Sequence, residues 1–134
     1  MVVLIVDVKA FLNETRESLL TVQLLTAQAQ NYRDMATRAS SGKRAGEQLE
    51  KYVLKLMDVH AELHEEVNQL CQKRREAEKL ILSLESEKHR AVLTAYYLCG
   101  YRWQEVADKT GYTLRWVHKL HVAGIAELER RNEE

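Results

Sequence analysis

The chain contains no proline and only five glycines in 134 residues. With helix breakers so scarce, and with Ala, Leu, Glu, Lys, Arg and Gln dominating, long helices are expected and sheet is not. An excess of charge of one sign is also missing. Twenty basic and twenty acidic residues cancel, so bulk electrostatics do not announce a nucleic-acid partner. The split along the chain is slight: twelve basic against thirteen acidic residues through residue 86, then eight against seven. Two of those last seven are Glu133 and Glu134, and without them the C-terminal segment is mildly basic. Cysteine is limited to Cys71 and Cys99, far apart and in no CxxC pair, which fits a reduced, cytoplasmic chain. No long hydrophobic run occurs. The opening "MVVLIV" lacks a basic flank and meets Asp7 at once, too short for a signal peptide or a membrane span. It reads as an arm or a lead-in to the first helix.

What is present is helical periodicity. Asp7 can cap a first helix whose apolar positions include Val8, Phe11, Leu12, Leu19, Val22, Leu25, Ala29, Tyr32, Ala36 and Ala39. "SSGKRAG", residues 40–46, interrupts it with small and basic residues. Beyond it Leu49, Val53, Leu56, His60, Leu63, Val67, Leu70, Arg74, Ala77, Ile81 and Leu84 alternate four and three apart, the spacing of a coiled-coil seam. Two long helices with a short connection fold back most economically as an antiparallel hairpin, each arm ~45–55 Å long. His60 and Arg74 are polar intruders of the kind that set register or oligomer state. Leu20 and Leu24 lie off the seam and point to a second copy, most simply a homodimer. Residues 1–84 are thus expected to form an oligomerising hairpin, and residues 85–134 a separate domain.

That second part starts with "LESEKHRAVLTAYYLCG", in which Ser86 is a candidate N-cap and Gly100 a candidate C-cap. Then "EVADKTGYTLRWVHKL", residues 105–120, stops a helix and restarts it. Gly111 supplies a left-handed backbone, and Thr113 can cap the next helix through the N–H of Arg115 or Trp116. Two short helices joined this tightly cross steeply, as in a helix-turn-helix. At 100° per residue Val117, Leu120, His121, Gly124 and Leu128 share one side, while Arg115, His118, Lys119 and Val122 face away with Trp116 at the edge. Small Ala107 permits close helix approach, and Trp103 joins the core beside Val106. A basic and aromatic surface on a rigid support can enter a major groove. The candidate DNA-binding residues are Thr113, Leu114, Arg115, Trp116, His118 and Lys119. Trp116 can equally serve as a lid over the helix pair or as a partner surface.

The stretch "YRWQEVADKTGYTLRWVHKLHVAGIAEL" resembles region 4 of primary sigma factors, the helix-turn-helix that reads an upstream promoter element. It is more similar still to short phage regulators from Gram-positive bacteria, late-transcription activators of the ArpU and RinA type. The likeness covers residues 87–128; the hairpin matches in style only. It departs at Arg102, where Ser or Thr is common, at Leu114, which replaces a frequently polar residue, and at the bulky Trp116. The resemblance implies sequence-specific binding of double-stranded DNA and transcription control, with RNA polymerase as a further partner. Residues 1–86 hold only Phe11, Tyr32 and Tyr52 as aromatics, so the promoter-melting part of a full sigma factor is not expected.

Other chemistry is thinly supported. "HAELH", residues 60–64, has Ala61 where the zinc-protease motif requires Glu, and no third ligand is evident. His121 reads as packed inside and His118 as touching a phosphate or water. No nucleophile–base pair, Gly-rich phosphate loop or carboxylate dyad occurs, so no catalytic residue, cofactor, metal or membrane partner is expected. The alternative to a DNA-binding regulator is a helical adaptor that binds RNA polymerase or a phage assembly without reading DNA.

Overall fold

A computed structural model describes residues 7–40, 42 and 45–133. The expectations for "MVVLIV" and for part of the "SSGKRAG" connection lie outside the described residues. All regular elements described are helical, in keeping with the all-α class expected from composition. Helix α1 spans Val8–Ala39 and α2 spans Ala45–Leu82. Helix α3, Glu87–Leu93, runs directly into a π-helical turn over Thr94–Leu98. Helices α4, Trp103–Thr110, and α5, Leu114–Glu133, complete the chain. Among the described residues no helix is long and apolar enough to cross a membrane. The predicted caps are present: Asp7 Oδ1 accepts the N–H of Ala10 at 3.0 Å, and Ser86 Oγ that of His89 at 3.4 Å.

Packing divides the chain into two units. One is Leu20–Gln69, and the other is made of the described residues on either side of it. In the first, α1 and α2 lie antiparallel around buried Leu25, Ala29 and Val59, flanked by Tyr32, Leu56 and Leu63. Arg33 Nη2 contacts His60 Nε2 at 3.1 Å beside them.

The seam along α2 departs from the heptad at Val53, His60 and Val67, alternate positions of its first half, and follows it again at Leu70, Ala77 and Ile81. Leu56, Leu63 and Leu70 face inward, but Val59 is buried where His60 was expected and His60 is exposed. Likewise Val53 and Val67 are exposed, with Tyr52 and Glu66 turned partly inward. A straight helix drifts about 20° per heptad against a strict seven-residue repeat. One partner helix also buries only a narrow stripe, and rotating it by a residue keeps the imidazole wet while hiding Val59.

In the second unit the base of the hairpin forms one wall of the C-terminal core. Val8 and Leu12 from α1, and Ala77, Ile81 and Leu84 from α2 and its end, meet Leu93, Tyr97, Leu98, Ile125 and Leu128. The division expected between residues 84 and 85 therefore does not coincide with the packing. Helices α3 and α4 are short, and the apolar residues of α3 to α5 need the hairpin base to be enclosed. Gly124 lets α5 cross α3 closely: a Cβ there would lie 3.1 Å from Leu93 Cδ1.

Guanidinium groups tie these parts together. Arg16 Nε donates to the carbonyl of Tyr96 at 3.1 Å and Nη2 to that of Tyr101 at 3.2 Å. Arg74 Nη1 donates to the carbonyl of Leu98 at 2.8 Å. Orphan carbonyls at the end of the π turn, which no helical N–H reaches, are thus satisfied by side chains. Arg74, expected as a register-setting intruder in the seam, acts here as that cap. Arg131 lies 3.3 Å from both Glu85 and Glu127 and also donates to the carbonyl of Ser83.

Leu12 is completely buried in this shared core. Leu12→Ala should therefore lower the unfolding free energy by about 2–5 kcal/mol, read from urea denaturation followed by helical content. A loss below about 1 kcal/mol would mean that α1 is not part of the C-terminal core.

Candidate nucleic-acid interface

Helix α4 begins without a hydroxyl cap. The carboxylate of Glu105 accepts the N–H of Arg102 at 3.2 Å instead, one half of a capping box. The departure at Arg102 thus leaves the helix start intact. At the other end Gly111 adopts φ 78° and its N–H reaches the carbonyl of Ala107 at 2.9 Å. Thr110 Oγ1 donates back to the carbonyl of Val106 at 2.7 Å. Thr113 Oγ1 then accepts the N–H of Trp116 at 3.1 Å and starts α5, one of the two partners expected for it.

The two helices close over Val92, Val106, Ala107, Val117 and Leu120, all buried. Ala95, Tyr96, Tyr101, Trp103 and Tyr112 pack around them. Trp103 is half-buried and stacks on Tyr96 at 3.7 Å between centroids, with planes 10° apart. The other face of Tyr96 carries the guanidinium of Arg16, 4.2 Å from the ring centre. The π turn makes this possible: consecutive Tyr96 and Tyr97 both serve the interior, edge to face at 4.9 Å, one toward α4 and the other toward the hairpin base.

The sequence candidates fall into three groups. Leu114, Arg115, Trp116 and Lys119 are exposed. Arg115 and Lys119 make no hydrogen bond or ion pair among the described residues. Thr113 is exposed but committed to its cap. His118 is exposed too, yet its ring sits 4.9 Å from that of Trp103, so the interior edge fixes its orientation. Trp116 is 42% exposed and makes no aromatic-ring contact among the described residues. Among the described residues no three His, Cys, Asp or Glu side chains are grouped as a metal site would require.

His121 packs inward as expected, but its partner was not foreseeable. Its Nε2 lies 2.6 Å from Tyr97 Oη. Burial, and secondarily the charge of Tyr96, raises the Tyr97 pKa to about 12. Burial, then Lys9 and His118, lowers that of His121 to about 4. Both groups are therefore neutral near pH 7, and the tyrosine hydroxyl donates to the imidazole.

Residues that hold the interface but were missed in the sequence are Arg16 and the Tyr96–Tyr97 pair. Nothing local marks Arg16, which sits 80 residues from the carbonyl it caps. The consecutive tyrosines were a weaker signal, since a regular helix does not turn both toward one interior. No protein family, curated protein or solved structure compared with the chain matches it. The chemistry of the site is the basis for its reading.

Because folding lowers the His121 pKa from 6.5 to about 4, the unfolded chain binds the proton more readily between those values. Stability is at its full value above pH 6.5, declines as pH falls toward 4, and levels off below that. The contribution is of the order of 1–3 kcal/mol. Urea unfolding from pH 7 to 4 should show this decline, and His121→Asn should flatten it. An unchanged slope in the variant would remove His121 as its source.

Proposed function

We propose that the chain is a sequence-specific, double-stranded-DNA-binding transcription regulator in which α4 and α5 act as a helix-turn-helix and α5 reads the major groove. The observation that carries this is the exposed side of α5. Arg115 and Lys119 stand one turn apart there, unpaired among the described residues, while Val117 and Leu120 anchor the same turns in the interior. Arginine and lysine so presented can donate to guanine edges or to phosphates. A formally neutral chain can still bind through one local basic surface, because screening confines the interaction to groups within about 10 Å. The likeness of residues 87–128 to sigma region 4 and to the ArpU and RinA regulators supports the same reading, and extends it to a phage or prophage setting with RNA polymerase as a possible contact.

Self-association belongs to this proposal. A groove-reading helix on one subunit gains affinity and half-site spacing from a second. Within Leu20–Gln69 the apolar Leu20, Leu24, Leu49, Val53, Leu54, Met57 and Val67 are exposed, more hydrocarbon than a two-helix unit normally leaves wet. A homodimer covering some of them is the simplest arrangement. The adaptor alternative uses the same α5 surface to bind RNA polymerase or a phage assembly.

Binding to duplexes selected from a random pool, measured by anisotropy over a salt series, separates the readings. Arg115→Ala should cost roughly 1–3 kcal/mol on the preferred site and relax choice at one base pair. Lys119→Ala should weaken all duplexes alike and reduce the salt slope by about one. Both should keep parental helical content and melting temperature. Gly111→Val should instead destabilise the fold by roughly 1–2 kcal/mol or more, since a β-branched residue would be held at positive φ. A folded Arg115→Ala, Lys119→Ala double variant that binds DNA like the parent would sink the groove-reading model in favour of the adaptor. Sedimentation of the full chain tests the dimer, and a monomer at high micromolar concentration would exclude it.

A further inference from the structure

Phosphate binding alone does not account for the exposed side of α5, because much of that side is hydrocarbon. Two rows of side chains run along it at i, i+4 spacing: Leu114, His118, Val122 and Ala126 in one, and Arg115, Lys119 and Ala123 in the other. Leu114 is 40% exposed and Val122 66%, on a helix whose opposite side is fully enclosed. The occupant must therefore offer apolar groups next to electron-rich ones.

Every side chain lining this surface belongs to α5 itself. That makes it a ridge and not a trough between helices, so it lacks the concave shape that receives an amphipathic helix. A ridge of this kind fits into a groove, and the major groove of B-DNA is about 12 Å wide and admits one helix. The apolar group exposed on its floor is the 5-methyl of thymine, beside the guanine acceptors and phosphates that suit Arg115 and Lys119.

Resting on the DNA-binding proposal above, we infer that Leu114 and Val122 are specificity residues that read thymine methyl groups. They are separated by eight residues, about 12 Å along the helix axis. With one base pair per about 3.4 Å, that distance spans three to four steps. The preferred site then holds two thymines three to four base pairs apart, with the pair that faces Arg115 beside the one that Leu114 meets. His118 lies between them in the same row, its ring 4.9 Å from that of Trp103.

The test uses the full chain and duplexes that it selects from a random pool. Each selected thymine is replaced in turn by deoxyuridine, which lacks only the methyl, and binding is measured at fixed salt. Affinity should fall about fourfold at each of two positions, the worth of one buried carbon group, and stay unchanged at the other thymines. Leu114→Ala should erase the penalty at one of them and Val122→Ala at the other, with melting temperature and helical content unaltered. Arg115→Ala should weaken binding yet leave both penalties in place. Salt-sensitive binding that is indifferent to uracil at every position overturns this inference and leaves the DNA reading standing. No salt-sensitive binding to any duplex overturns both.

Discussion

The guanidinium of Arg16 holds the C-terminal helices to the start of α1. Its Cζ lies over the Tyr96 ring while its nitrogens take up the carbonyls of Tyr96 and Tyr101. The Tyr96 carbonyl belongs to the π-helical turn and the Tyr101 carbonyl to the loop beyond it, and the ring is the one on which Trp103 of α4 stacks. A single charged side chain from the first helix thus closes the end of α3 and sets the platform for α4. Arginine suits this position better than lysine, because its planar fork can stack and donate in several directions at once. Arg74 completes the closure from α2 at the carbonyl of Leu98.

From that platform the chain of dependence runs outward. Trp103 on Tyr96 fixes the start of α4, and buried Val106 and Ala107 fix its approach to Val117 and Leu120. Left-handed Gly111 and the Thr113 cap then determine where α5 begins. What finally reaches solvent includes Leu114, Arg115, Trp116, His118, Lys119 and Val122, on a helix anchored along its opposite side. Side chains so placed are fixed in position by the support beneath them.

The buried Tyr97–His121 pair has a different part. Its two neutral groups satisfy one another at 2.6 Å in the layer between the hairpin base and α5. A polar pair of this kind contributes modestly while it is made and costs more when one partner becomes charged. The molecule is therefore arranged for a neutral His121, and the depressed pKa expresses that arrangement.

Local pattern determined much of this protein. The absence of proline, the three-four spacing of α1, the caps at Asp7, Ser86 and Thr113, and the left-handed glycine at 111 each act within a few residues, so each was legible in the sequence. So was the outward side of α5, because Val117, Leu120, Gly124 and Leu128 mark the inward one. Part of the seam of α2 was legible only to within one residue: a strict heptad describes a supercoiled partner, and the actual partner is one antiparallel helix. Tertiary structure alone decided that the base of the hairpin belongs with the C-terminal helices, since α3 to α5 enclose their core only with Leu12 and Ile81 against it. It alone decided the role of Arg16 as well. Its partners are carbonyls 80 and more residues away, and no periodicity in the chain encodes which distant backbone groups will be left without a donor.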